Sequence, residues 1–114
     1  QGSAAKGRSS CLVEVKSVTL VRAGKGLFPD APTERGTRHL AALREARAKG
    51  LRAAVVFAVQ RPDAFLVLPH DATDPRFGRA LREAARAGVE LYAFSCQVTE
   101  AQTVPARPLP VVLP

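Results

Sequence analysis

The chain has 114 residues, 46% apolar and 24% charged, with 17 Lys and Arg against 10 Asp and Glu and a net charge of +7. That is one modest domain, with no apolar run near the ~20 residues of a membrane span and no secretory signal in its small, polar first ten residues, so a cytoplasmic protein without membrane contact is expected. Thirteen of the basic residues are Arg, whose planar fork suits phosphate; the excess favours a polyanion partner over the Arg enrichment of a GC-rich genome.

Gln1-Gly2-Ser3 reads as a tag remnant, and residues 1–10 as a disordered or extended lead-in. The first strand begins at Cys11 and runs to Lys16, continuing through Val18-Thr19-Leu20-Val21 to a turn at Ala23-Gly24-Lys25-Gly26 and then Leu27-Phe28. Alternation along it puts Glu14 and Lys16 on one face with Leu12, and Cys11, Val13 and Val15 on the other. Charges in an apolar strand are costly to bury unless they are paired or hold an ion. Two readings follow: an i,i+2 ion pair at a sheet edge, or a carboxylate and an amine aimed at a common polar pocket.

Pro29 and Pro32 break the chain, after which Asp30 or Thr33 caps a helix over residues 33–49 that stops at Gly50. Leu40, Leu43 and Ala46 form its apolar stripe, with Gly36 allowing close packing. Arg35, Arg38 and His39 fall on its first two turns, where positive potential suits a phosphate; salt bridges to Glu14 or Asp30 are the alternative. Leu51–Val59 is a near-continuous apolar run, as in a strand buried on both faces of a parallel sheet. Gln60 follows it, either facing a site or capping the strand end.

Phe65–Leu68 is a loop or short strand, and His70 reads as exposed and partnerless. Asp74-Pro75 starts a second helix with an acid at N-cap and Pro at N1; Phe77, Leu81 and Ala84 are its buried stripe and Gly88 its end. Arg79, Arg82 and Arg86 lie on the other side, a solvated face or a track for phosphates. Val89–Phe94 is the next strand, and Pro105, Pro108 and Pro110 make an extended tail with an edge strand at Val111-Val112. Strand, helix, strand, helix, strand implies right-handed crossovers and a mixed, partly parallel α/β sheet with two flanking helices. Cys11 and Cys96 share no metal spacing and read as buried, reduced thiols.

Three segments then carry a resemblance: Phe28-Pro29-Asp30-Ala31-Pro32-Thr33-Glu34-Arg35-Gly36 leading into Arg38-His39-Leu40, then Val59-Gln60-Arg61-Pro62-Asp63-Ala64, then Asp74-Pro75-Arg76-Phe77. In this order, from about Cys11 to Val112, the chain resembles the sugar fermentation stimulation protein A family of bacteria and archaea. The resemblance implies DNA binding with little sequence preference and regulation of sugar (maltose) metabolism. It also implies a restriction-endonuclease-like domain of the PD-(D/E)xK type, preceded by an OB-type domain. It assigns Glu14 to coordinating Mg²⁺ or Mn²⁺, with the Val15 carbonyl as a further ligand, and Lys16 to orienting water. Asp30 and Gln60 become additional catalytic candidates, and Arg35, Arg38, His39, Arg79, Arg82 and Arg86 DNA contacts.

One departure stands out. Nucleases of this type carry an acid on the strand before the Glu-x-Lys strand, and residues 1–10 contain no Asp or Glu. The chain is therefore expected to be a C-terminal fragment lacking the first helix and strands, a weak metal site and an inefficient nuclease, with an open sheet edge that invites a homodimer. Three functions compete: a DNA-binding protein, a metal-dependent DNA nuclease, and a regulatory domain in which Glu14 and Lys16 survive only as an ion pair.

Overall fold

The computed structural model describes residues 10–98 and 103–114. The expected lead-in and tag remnant lie outside the described residues, apart from Ser10, whose carbonyl accepts the Arg52 N–H at 3.1 Å. Seven strands and two helices follow: β1 (Cys11–Val18), β2 (Leu20–Arg22), β3 (Lys25–Phe28), α1 (Glu34–Ala48), β4 (Arg52–Val59), β5 (Leu66–Pro69), α2 (Pro75–Arg86), β6 (Glu90–Val98) and β7 (Thr103–Leu109). The main sheet has the order β1-β4-β6-β7, with β1, β4 and β6 parallel and β7 antiparallel to β6. It is the mixed, partly parallel sheet with two helices that the sequence predicts.

The register explains which side chains meet. Glu14 lies opposite Val55, and Lys16 opposite Phe57; paired residues of neighbouring strands point the same way, toward the helices. On that face Ala53, Val55, Phe57 and Val59 of β4 are fully buried, with Leu40 and Leu43 of α1 and Phe77, Leu81 and Ala84 of α2. Burying a ring the size of Phe77 contributes about 1.5–3 kcal/mol. Phe28 links the layers, its centroid 5.7 Å from Phe57 and 5.2 Å from Phe77. The opposite face is thinner. Ala54 is buried there, but Val56 and Ala58 are only half-buried and Val15 is 63% exposed, so β4 is sealed on the helix side and only partly covered on the other, less than its composition suggests.

Three further expectations are corrected. The first strand breaks at Thr19, and β2 leaves the main sheet for a second one, β2-β3-β5. The turn between β2 and β3 is two residues long, not four: Ala23 (φ 51°) and Gly24 (φ 79°) close it, and Lys25 and Gly26 belong to β3. Two consecutive positive φ values match the twist of a tight hairpin. The edge strand lies upstream of Val111-Val112: β7 carries Pro105 and Pro108 opposite Cys96 and Phe94, while Val111 makes a single bridge with Val67. Proline is tolerated there because only one side of an edge strand is paired.

The helices start and stop for local reasons. Thr33, not Asp30, caps α1, its Oγ1 accepting from Gly36 N at 2.9 Å. Asp74 caps α2 by accepting from Phe77 N at 3.0 Å, with Pro75 behind it. At the other end of α1, Leu51 N bonds to Ala46 O and Gly50 N to Arg47 O, both at 3.0 Å. That double closure needs the positive φ of +87° at Gly50. Among the described residues, no helix is long and apolar enough to cross a membrane.

Candidate nucleic-acid interface

β1 and the first turns of α1 build one polar pocket. Glu14 and Lys16 emerge on the same face, and His39 comes down onto them from α1. The Lys16 amine stands 2.6 Å from His39 Nδ1. Glu14 Oε1 stands 3.2 Å from that same nitrogen and 3.9 Å from the amine. One ring nitrogen is thus the meeting point of an ammonium and a carboxylate. With the lone pair on Nδ1 the amine donates to it; with a proton there the ring donates to Glu14.

Burial differs across the three. The Lys16 side chain is only 12% exposed, against 32% for Glu14 and 29% for His39. Burial holds the Lys16 amine below the usual lysine pKa; the Glu14 charge opposes this and the Arg35 charge adds to it. Arg35 sits one helical turn before His39, so α1 brings both residues toward the amine. The pocket therefore offers one partly desolvated amine, one carboxylate and a nearby exposed guanidinium, groups that handle a phosphate oxygen and its charge.

A separate open cleft of about 370 Å³, sharing no lining residue with the Glu14, Lys16 and His39 group, lies between Arg38 of α1 and Arg76 of α2, with Thr33, Thr37 and Asp74 in its walls. Asp74 ties the two helix starts together, since its Oδ2 accepts the Thr33 N–H at 2.8 Å while Oδ1 caps α2. His70, expected to be exposed, is only 9% exposed. Its Nδ1 lies 2.8 Å from Pro29 O, its Nε2 3.2 Å from Thr73 Oγ1, and its N–H donates to Phe28 O. The Phe-Pro-Asp segment is clamped from below by this histidine, a contact across 41 residues that no local pattern announces.

The remaining candidates are dispersed. Asp30 is exposed on the loop before Thr33 and neither caps α1 nor makes an ion pair among the described residues. Gln60 is exposed one residue past β4, its N–H donating to Val18 O; alternation sets it with Ala58, on the side away from Glu14 and Lys16. Arg79 and Arg86 are exposed. Arg82, expected on the same solvated face, is held by a two-pronged pair with Asp71 (3.0 and 2.8 Å) and by Pro114 O at 3.1 Å. Cys11 and Cys96 are unpaired thiols, but they are not buried as expected: Cys11 is exposed, on the outer edge strand β1, and Cys96 is only partly buried.

For a divalent cation the described residues offer few ligands here. Glu14 supplies one carboxylate and His39 one imidazole, and Lys16 sets a positive charge beside both. Among the described residues no three His, Cys, Asp or Glu side chains gather to hold a metal. Mg²⁺ sites ordinarily combine one or two carboxylates with water and substrate phosphate, and here the single acid is already engaged by nitrogen partners.

Residues 3–102 match the family model described as "Sugar fermentation stimulation protein RE domain". The chain is 56% identical over 92 residues to a sugar fermentation stimulation protein homolog of Moorella thermoacetica, covering 81% of this chain and 40% of that one. It is 52% identical over 103 residues to the homolog of Acetivibrio thermocellus, covering 89% and 44%. Among solved structures it is similar to Pyrococcus furiosus SfsA in complex with Ca²⁺, with a TM-score of 0.84, 31% identity, and coverage of 90% of this chain and 45% of the other. The chain thus spans less than half the length of these relatives.

Proposed function

Because the chain belongs to the sugar fermentation stimulation protein family, we propose that its restriction-endonuclease-like domain binds DNA through the phosphate backbone, with little base readout. One observation carries this reading: the Lys16 amine is drawn into a polar pocket beneath Arg35, on a chain of net charge +7. An amine at that depth meets a phosphate oxygen that Arg35 and Arg38 can steer in, and such contacts ignore sequence. Regulation of sugar (maltose) metabolism is the role we attach to the longer proteins of the family, with this domain as their DNA-binding part. Affinity for a duplex measured across a salt series tests the binding. It should fall steeply, with the same slope on unrelated sequences; an affinity indifferent to salt rejects the reading.

A second reading, a Mg²⁺- or Mn²⁺-dependent DNA phosphodiesterase, is favoured by the Glu14–Lys16 pair and by the Ca²⁺ bound to the similar Pyrococcus furiosus protein. It requires an acidic ligand that the described residues do not place beside Glu14. Metal-dependent cleavage by a full-length relative, abolished by substitution of the residues matching Glu14 and Lys16, would support it. Cleavage that survives both substitutions would remove it.

A further inference from the structure

The geometry points to His39 as the positioning residue of this pocket: its Nδ1 holds the Lys16 amine in place beside Glu14, so that the amine is presented to a DNA phosphate. The inference rests on the DNA-binding reading for its ligand and on the structure for its mechanism. Lys16 has four rotatable bonds, and a lysine at a strand surface ordinarily sweeps a wide volume of solvent. Here it is pinned. Its short contact is with the ring, at 2.6 Å, and its distance to the carboxylate is 3.9 Å. The hold on the amine therefore comes from α1, across 23 residues of sequence, more than from the acid two residues away. In the state that holds the amine, Nδ1 carries no proton and so makes no bond to Glu14 Oε1 at 3.2 Å; the ring is placed by the helix that carries it, between buried Gly36 and Leu40.

Ordering a lysine in advance removes part of the entropy that a phosphate contact would otherwise cost. His39 would then raise affinity without touching DNA. Its signature is that its loss is felt only through Lys16.

Two variants separate positioning from packing. His39→Leu fills similar space with no acceptor, whereas His39→Asn returns an acceptor oxygen near the place of Nδ1. The first readout needs no DNA: limiting acetylation of the folded protein, with Lys16 labelling quantified by mass spectrometry against exposed Lys25 and Lys49 in the same sample. Lys16 labelling should rise severalfold in His39→Leu and stay near the parent level in His39→Asn. Equal labelling in parent and Leu variant, or equal labelling in the two variants, overturns the proposal. The second readout is a cycle on duplex affinity. His39→Leu should weaken binding about fivefold and lower the salt slope by about one, as for one lost phosphate contact. In a Lys16→Gln background the same change should do nothing further; additive losses overturn the proposal. Should the parent's affinity be indifferent to salt, the DNA reading fails, and the labelling result still decides whether His39 places the amine.

Discussion

Asp74 and Thr33 lie 41 residues apart, yet the Asp74 carboxylate accepts the Thr33 backbone N–H at 2.8 Å while its other oxygen caps α2 at Phe77 N. One buried side chain thereby sets the start of both helices, and with them the position of Arg35, Arg38 and His39 over β1. Replacing Asp74 by Ala strands two backbone donors in a site only 7% exposed. The expected loss is about 2–3 kcal/mol, from a cap and a charged hydrogen bond together. A urea titration checks it through the midpoint, with the slope unchanged; a loss below about 0.5 kcal/mol would mean that water replaces the carboxylate at both ends.

Gly36 shows the same dependence on close approach. A Cβ there would stand 2.8 Å from Thr33 Cγ2 and 3.2 Å from Phe77 Cε1. Helix propensity alone favours Ala over Gly by about 1 kcal/mol in a helix interior. Gly36→Ala is nevertheless expected to destabilise, because Phe77 is fully buried and cannot retreat. A raised thermal midpoint for Gly36→Ala would refute this account of the α1–α2 contact.

The far face of the sheet carries a network that responds to acid. Arg52 grips Glu90 with two bonds at 2.6 and 2.8 Å, and Tyr92 donates to the same carboxylate. The Arg52 bond first, then Tyr92, holds the Glu90 carboxyl down to about 2 from an ordinary 4.5, and the same pairing raises the Arg52 guanidinium. A depressed carboxyl means that the unfolded chain takes up the proton first, so stability rises with pH across that interval. The contribution is present above pH 4.5 and is lost as pH falls toward about 2. Glu90→Gln should flatten this part of the stability–pH curve relative to the parent; identical acid limbs would show that water screens the network completely.

Arg82 of α2 and the pair Arg35 and Arg38 of α1 are expected to give opposite outcomes. Arg82 spends its guanidinium on Asp71 and Pro114 O, and that pairing holds the Asp71 carboxyl below its usual value. Arg82→Gln should lower the thermal midpoint and leave the salt slope of DNA binding as it was. Arg35→Gln with Arg38→Gln should leave the midpoint alone and reduce the slope by about two. Exchange of these effects would move the interface to α2.

Much of this fold was legible because caps and periodicity are local. Asp74-Pro75, the Leu40-Leu43-Ala46 stripe and the Val-rich run of β4 each announce themselves within a few residues, and the structure keeps all three. The second sheet did not, since the break at Thr19 has no Gly or Pro to mark it and β2 is chosen by pairing with β3. The burial of His70 has no local sign for a related reason: its partner Pro29 O is 41 residues away. At the site, alternation placed Glu14 and Lys16 together correctly. The bond from Lys16 to His39 depends on where α1 settles on the sheet, which no spacing encodes. Asp30 drew attention through its motif, but Thr33 does the capping and Asp30 stays in solvent.

The most direct test is duplex affinity for Glu14→Gln and Lys16→Gln, measured side by side at one moderate salt concentration without divalent metal. If the pocket meets a phosphate, the two changes act in opposite directions: removing the carboxylate strengthens binding and removing the amine weakens it, each by several-fold. If both variants bind as the parent does and differ from it only in stability, Glu14 and Lys16 are a structural ion pair and the interface lies elsewhere.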